Sequence, residues 1–536
     1  MKRLALLVGL CACARAAPSP RAGERRAPGP GRDLLAAPRT GAAVYLRAPR
    51  HPEGPLIPAD VWLGELTLVP PAGPVRALGI GATNLAGEVV FSPDGRSVAF
   101  LRHFDLATHQ GELALADLGS TGTRSLAAAA SYFGYSPDGR FLGYVEGGRL
   151  WLAELRGGNP RKVGDSVATF EFSSDGQAVL YRRLSAAGSE LILAASDGAH
   201  PSTTVARGVA DYRFDRKGQA IAYTVESADQ LPELHLWKGG RERLLGTGAP
   251  SFEFSPDGRI LAYVAGVSAR YLEGDLFAIE VEGGKPQRIG QHAGSYSFSP
   301  EGSRVVRLAF LRDYYDQARS GKLALWSPGQ PVRAVANSVR LFGWSHHGGE
   351  LAYLETVTHP LYTQELFLLS VEGGAAAGPA AGAGPAPRFI GQAIYSFDFT
   401  PDDERLLFKT ACTTGGEACD LLSVPTSSAT EPATSATDGG VVGPKPTRVV
   451  AGVSDYDYSP DGRWIWVTFA NPISHSFDLA VIPAKVWSLP RYVDRRVDSH
   501  PRWLADGRLA YLVSEPRRAG VYVADPSKAA AVGLNR

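Results

Sequence analysis

A four-residue phrase, Ser-Pro-Asp-Gly, stands intact at 92–95, 136–139, 255–258 and 459–462. Degraded copies begin at Ser173, Asp215, Ser299, Ser345, Thr400 and Leu504, which makes ten in all. An aromatic residue stands just upstream of every copy, and successive aromatics lie 37 to 59 residues apart. A chain that writes one turn ten times at such intervals must build a repeating body.

Each copy has the same surroundings. Upstream lies an alternating segment such as Thr-Phe-Glu-Phe (169–172) or Asp-Tyr-Asp-Tyr (455–458), whose period of two marks a strand. The phrase itself reads as a tight turn. Its Ser bonds the backbone ahead, Pro fixes φ near −65°, and Gly supplies a positive φ. Asp94 and Gly95, Asp138 and Gly139, Asp257 and Gly258, and Asp461 and Gly462 are therefore structural turn residues. A second strand follows, as at 97–102, then a third (275–280) and a fourth (286–290). Four antiparallel strands every 40 to 50 residues predict a β-propeller blade. A single such sheet has two faces to cover, and radial stacking covers both. The expected fold class is all-β, with about ten or eleven units in one large ring or in two rings.

The segments 91–100, 135–145, 254–264 and 458–469, with 275–290 as the second half of a blade, resemble the WD40-like repeats of TolB-type β-propellers. The resemblance runs from about residue 41 to the end and implies the fold. TolB carries an α/β domain ahead of its propeller, and nothing of that kind precedes the first copy here, so the likeness is to the repeat and not to that protein.

Before the repeats, Lys2, Arg3 and the apolar run 4–10 read as an export signal occupying 1–17. Leu10-Cys11-Ala12-Cys13 resembles a bacterial lipobox, which would make Cys13 the lipidated residue; the alternative is cleavage near Ala16 or Ala17. Ala14 after Cys13 fits outer-membrane retention by the same resemblance. Residues 18–40, dense in Pro, Gly and Arg, read as a tether. The repeats then fill 41–536, with low-complexity hairpin loops at 373–387 and 425–446. The chain's beginning and end read as complementary parts of blades, strands two to four at 43–79 and strands one to three at 502–525, a split that fastens a ring. Cys412 and Cys419 face each other across a Gly-Gly turn and should pair in an oxidising compartment.

Charge is balanced, 55 Lys plus Arg against 54 Asp plus Glu, which leaves no basic footprint for nucleic acid. No catalytic set is expected: a G-x-S-x-G elbow, an H-E-x-x-H helix and a phosphate loop are all missing from the sequence. No metal or cofactor is expected either, and the adjacent His346 and His347 read as a degenerate turn. His500 falls where loops approach a channel mouth. One slot varies suggestively. The residue before the repeat aromatic is Glu171, Arg213, Glu253, Asp398, Asp457 or Arg502 in six copies, on the strand that would line a central channel. These charges would either neutralise one another between blades or make a polar, ligand-recognising channel. The leading expectation is an exported, non-catalytic binding scaffold for protein or cell-envelope ligands, touching membrane through a lipid anchor only. The rival is a propeller enzyme, a lyase or hydrolase with a site assembled from channel loops.

Overall fold

The computed structural model describes residues 23–28, 31–52, 57–58, 60–84, 87–186, 188–226, 231–267, 274–315, 319–357, 363–371, 386–413, 416–427, 445–471, 476–485, 488–498, 500–513, 515 and 517–531. The export signal, Cys13 and most of both low-complexity loops lie outside the described residues. Every sheet is antiparallel and meanders from inner to outer strand. Six sheets have four strands and one has five; dividing each of two continuous seven-stranded sheets adds four more units, so the described residues form eleven blades. Blade 1 spans 31–83, and blades 2 to 10 follow in order as 89–130, 130–164, 167–207, 209–247, 251–293, 296–339, 339–392, 394–453 and 455–497. Blade 11 takes three strands from 502–524 and its outer strand from Gly23–Pro28. In two places the outer strand of one blade runs unbroken into the inner strand of the next: Thr123–Tyr135 and Arg333–Trp344. Ala130 and Val339 are the pivots, each pairing with both sheets.

Both faces of the second strands are buried, so they read as continuous apolar runs. Ile260–Ala265 is buried at all six positions. Leu261, Tyr263 and Ala265 enter the core shared with blade 5, whereas Ile260, Ala262 and Val264 enter the core shared with blade 7. Period two along one strand thus splits its side chains between two neighbours. The eleven apolar cores each join two consecutive blades, and one of them joins blade 11 (Leu504, Ala510, Val521) to blade 1 (Leu34, Ala43, Tyr45). The series is closed, so the blades make one ring. The usual range for propellers is roughly four to eight blades. Here eleven are needed before the first and last meet.

The expectation of a tether over 18–40 fails for the described part. Gly23–Pro28 pairs with Gly520–Ala524, and Gly31–Ala36 is the inner strand of blade 1, burying Leu34. Blade 1 therefore has its own first strand, and the complementary split falls in blade 11 instead. Density in Pro, Gly and Arg hid two strands for separate reasons. One, Gly-Glu-Arg-Arg-Ala-Pro, has no apolar alternation in its sequence, and the other surrounds its single core leucine with Arg32, Asp33 and Pro38. A second fastening follows at the far end, where Ala530–Ala531 adds to the outer edge of blade 10.

The repeated turn owes its constancy to a buried hydroxyl. In blade 3, Ser136 is fully buried; its Oγ donates to Asp138 Oδ1 (2.6 Å) and accepts from the Phe141 amide (2.9 Å). Asp138 Oδ1 also accepts from the Arg140 amide at 3.0 Å. The same bonds recur at Ser92, Ser173, Ser255, Thr400 and Ser459. Where the hydroxyl is replaced by Asp215, its carboxylate takes the amides of Gln219 (2.6 Å) and Ala220 (3.0 Å) directly. Gly95, Gly139, Gly258 and Gly462 have φ of 65–71°, the region an L side chain avoids. At the outer edge, arginines opening the fourth strands reach the next blade: Arg76 to Asp117 O (2.5 Å), Arg161 to Ser196 O (2.7 Å) and Arg388 to Pro425 O (2.5 Å).

Candidate functional site: the channel wall and the closing seam

The inner strands converge. Tyr132 of blade 3 feels both Glu171 of blade 4 and Arg213 of blade 5, and Arg216 of blade 5 pairs with Glu301 of blade 7. Charges two blades apart can meet only near the axis. Next to each buried repeat aromatic, the exposed or half-buried neighbour on this strand faces the channel. Arg213, Glu253, Asp398, Asp457 and Arg502 are exposed and Glu171 is half-buried. Trp344 and Trp503, in the aromatic slot itself, donate to the inner-strand carbonyls of the preceding blades, Ser297 O (3.3 Å) and Asp457 O (3.2 Å).

Among the described residues, no salt bridge joins the slot charge of one of these blades to that of the next. Arg213 turns to its own strand, meeting Asp211 Oδ1 at 3.0 Å and Tyr212 O at 2.7 Å. Glu171 feels a longer-range attraction from Arg213 and accepts a hydrogen bond from the Phe214 amide, but burial outweighs both and pushes its carboxyl up to about 7. Burial does the same to Glu88, a channel-side residue of blade 2, again to about 7. It also raises Glu253, Asp398 and Asp457, against the attraction of His346 on Asp398 and of Arg502 on Asp457. The wall therefore holds carboxyls raised above their usual range: each keeps some contact with solvent, yet the surrounding channel desolvates it more than nearby cations compensate.

His346 and His347 are more than a worn turn. Their backbone amides and Nδ1 atoms all reach Asp403 of blade 9, at 2.8 and 2.9 Å for His346 and 2.6 and 2.8 Å for His347. Asp403 occupies the turn-glycine position, with φ of 55°. Two departures from the repeat, in neighbouring blades, are thus partners, and the four donors hold its carboxyl below the usual carboxylate range. Cys412 and Cys419 meet across the loop between the second and third strands of blade 9, with Cα atoms 4.0 Å apart and sulfurs at 2.07 Å. Among the described residues no group of three or more His, Cys, Asp or Glu is arranged to hold a metal ion, and no helix is long and apolar enough to cross a membrane.

The sequence reading missed a cavity of about 770 Å³ where blades 10 and 11 meet blades 1 and 2. Arg32, Asp33, Asp498, His500 and Arg502 supply its charged lining; Leu34, Leu35, Leu46, Leu66, Leu512 and Phe477 supply much of the rest. Its volume and mixed lining are those of a small-ligand pocket. Of its polar members only His500 and Arg502 were singled out in the sequence, because Arg32 and Asp33 fell within the apparent tether.

No family model matches the chain, and no curated protein does. Among solved structures it is similar to a eukaryotic initiation factor (12% identity, TM-score 0.39, 72% of this chain and 94% of that one). It is also similar to the β-propeller domain of the Trilobed protease from Pyrococcus furiosus (16%, TM-score 0.29, 52% and 93%). A third is a putative TolB from Agrobacterium tumefaciens (20%, TM-score 0.25, 40% and 86%).

Proposed function

We propose that this chain is an exported binding scaffold, held at the cell envelope by lipid on Cys13, whose channel takes a cationic segment of a protein or envelope ligand. One observation supports the channel reading above the rest: Glu171, Glu253, Asp398 and Asp457 are kept on the inner strands with their carboxyls raised above the usual range by burial and, among the described residues, without a salt bridge to a neighbouring blade. Such carboxyls cost stability, and a cationic ligand would supply the missing countercharge. Export rests on the sequence of residues 1–17, and kinship with the TolB-type repeat family rests on the repeated turn.

The test is affinity capture from envelope extract, comparing wild type with Glu171→Gln/Glu253→Gln. The reading expects a captured ligand rich in Lys or Arg, released by salt and lost in the double variant. Capture that is indifferent to salt and to the substitutions overturns it. Chemical turnover of the captured ligand, abolished by Glu171→Gln, would replace the scaffold with the enzyme reading, since a carboxyl near 7 suits a general acid. Cys13→Ser should move the protein from the membrane fraction to the soluble one; unchanged membrane association rejects the anchor.

A further inference from the structure

The cavity at the closing seam differs from the channel wall in its donors. Arg32 sits over the Trp62 ring, its guanidinium carbon 4.3 Å from the ring centroid. Arg502 is fixed through Nε, which donates to Leu34 O at 3.4 Å. Both side chains are thereby held, yet among the described residues no hydrogen bond engages the Nη groups of either. The rim around them is built. Asn84 has both ends of its amide committed, accepting from the Trp62 amide (2.7 Å) and donating to Asp60 O (2.8 Å).

The backbone is strained at the same place. Asp33 and His500 hold equivalent positions, two residues before the channel slot of blades 1 and 11, and both have left-handed φ, 53° and 66°. At that position no other described non-glycine residue does so. Strain of this kind persists where surrounding structure imposes it, and it gathers at ligand sites.

We propose that the seam cavity binds a monocarboxylate carried on an apolar chain. Two held guanidinium edges suit the planar, two-oxygen geometry of a carboxylate. The number of charges is limited to one by the opposing groups: Asp33 stands 3.8 Å from Arg32 Nε, and Asp498 lines the same space. With Arg32 and Arg502 set against Asp33 and Asp498, the lining lacks the strong positive excess that a phosphate dianion needs. Leu35, Leu46, Leu66, Leu512 and Phe477 offer the chain an apolar bed. This site shares Arg502 with the channel wall but uses none of the wall carboxyls, and it goes beyond the scaffold reading; either can fail alone.

The test is calorimetric titration of the full chain with octanoate, 1-octanol and acetate. Octanoate should bind at least tenfold more tightly than octanol, which lacks the charge, and than acetate, which lacks the chain. Arg502→Gln and Arg32→Gln should each weaken octanoate tenfold or more, with Arg502→Lys between, and Arg124→Gln on an exposed outer strand should change nothing. A short apolar peptide with a free C-terminal carboxylate, set against its amide, distinguishes the source: tighter binding than octanoate assigns a peptide terminus, and weaker binding assigns a free carboxylic acid. Equal affinity for octanoate and octanol, absent octanoate binding, or unchanged octanoate affinity in a folded Arg502→Gln overturns the proposal. Should that variant not fold, the comparison of octanoate with octanol on the wild type still decides it.

Discussion

The repeated turns and the closing seam solve opposite problems with the same sheets. Each turn joins the first two strands of one blade, and its hydroxyl, aspartate and positive-φ residue recur with bond lengths that differ by about 0.1 Å from blade to blade. The seam must join residues from opposite ends of the chain. Arg502 and Leu34, for example, are 468 residues apart in sequence and touch. Repetition therefore marks where the ring is built. Where it closes, the pattern is abandoned, and irregular charge, strain and a cavity take its place.

That contrast is first broken by attacking the closing blades. Asp494, on the outer strand of blade 10, is 1% exposed; it accepts from Arg518 Nη2 (2.5 Å) and the Tyr511 hydroxyl (3.1 Å), both of blade 11. Asp494→Ala strands a largely buried guanidinium, and the expected loss is about 3–5 kcal/mol. Chemical denaturation monitored by tryptophan fluorescence reads it. A loss smaller than that of a turn variant would mean the closing region carries no special share of stability.

Cys412→Ser asks whether a staple inside one blade behaves like the seam. The crosslinked loop is short, with a sequence separation of 7, and opening it should cost about 2–3 kcal/mol. Wild type treated with reductant should fall to the same midpoint. A variant as stable as untreated wild type would show that the thiols are not joined in the purified protein.

Ser136→Ala then measures the uniform region. It removes a buried hydroxyl that both donates to Asp138 and accepts from the Phe141 amide, leaving that amide unpaired. The expected loss is about 1–2 kcal/mol. Ser92→Ala and Ser459→Ala should cost about the same, because their hydroxyls are equally buried and make the same bonds. Divergence among them would show that the turns are alike in geometry only.

The two regions were unequally visible in the sequence. Blades 2 to 11 announced themselves because a tight turn needs a particular hydroxyl, proline and positive-φ residue, and those needs are local. The first turn, Ala37-Pro38-Arg39-Thr40, has lost the serine, the aspartate and the aromatic, so its inner strand went unseen. Ring size was hidden for another reason: each blade specifies only its contact with the next, and closure depends on a rotation summed over all eleven. The six slot charges were found at the right positions, yet their partners were not. Whether Arg213 reaches Glu171 or Asp211 depends on inter-strand distance, which no pattern of residues reveals. The Asp403 link between blades could have been suspected, since an acid replaces a turn glycine only one repeat after two histidines replace Pro-Asp.

The smallest expected effect tests the channel wall, where neither repetition nor closure governs. Glu171 has its carboxyl raised from 4.5 to about 7, chiefly by burial. The folded state thus binds its proton more tightly than the unfolded chain does. Its contribution to stability is fully present below about pH 4.5 and is lost as pH rises through about 7. Glu171→Gln keeps the shape and discards the titration. Wild type and variant should be equally stable near pH 4.5, and by pH 8 the variant should lead by on the order of 1–2 kcal/mol once solvent screening is allowed for. A cationic ligand in the channel should shrink that lead by restoring charge balance around the ionised wild-type carboxylate. A gap that is constant with pH would mean Glu171 is solvated in the channel, and the wall would then lose its claim to be poised for a cation.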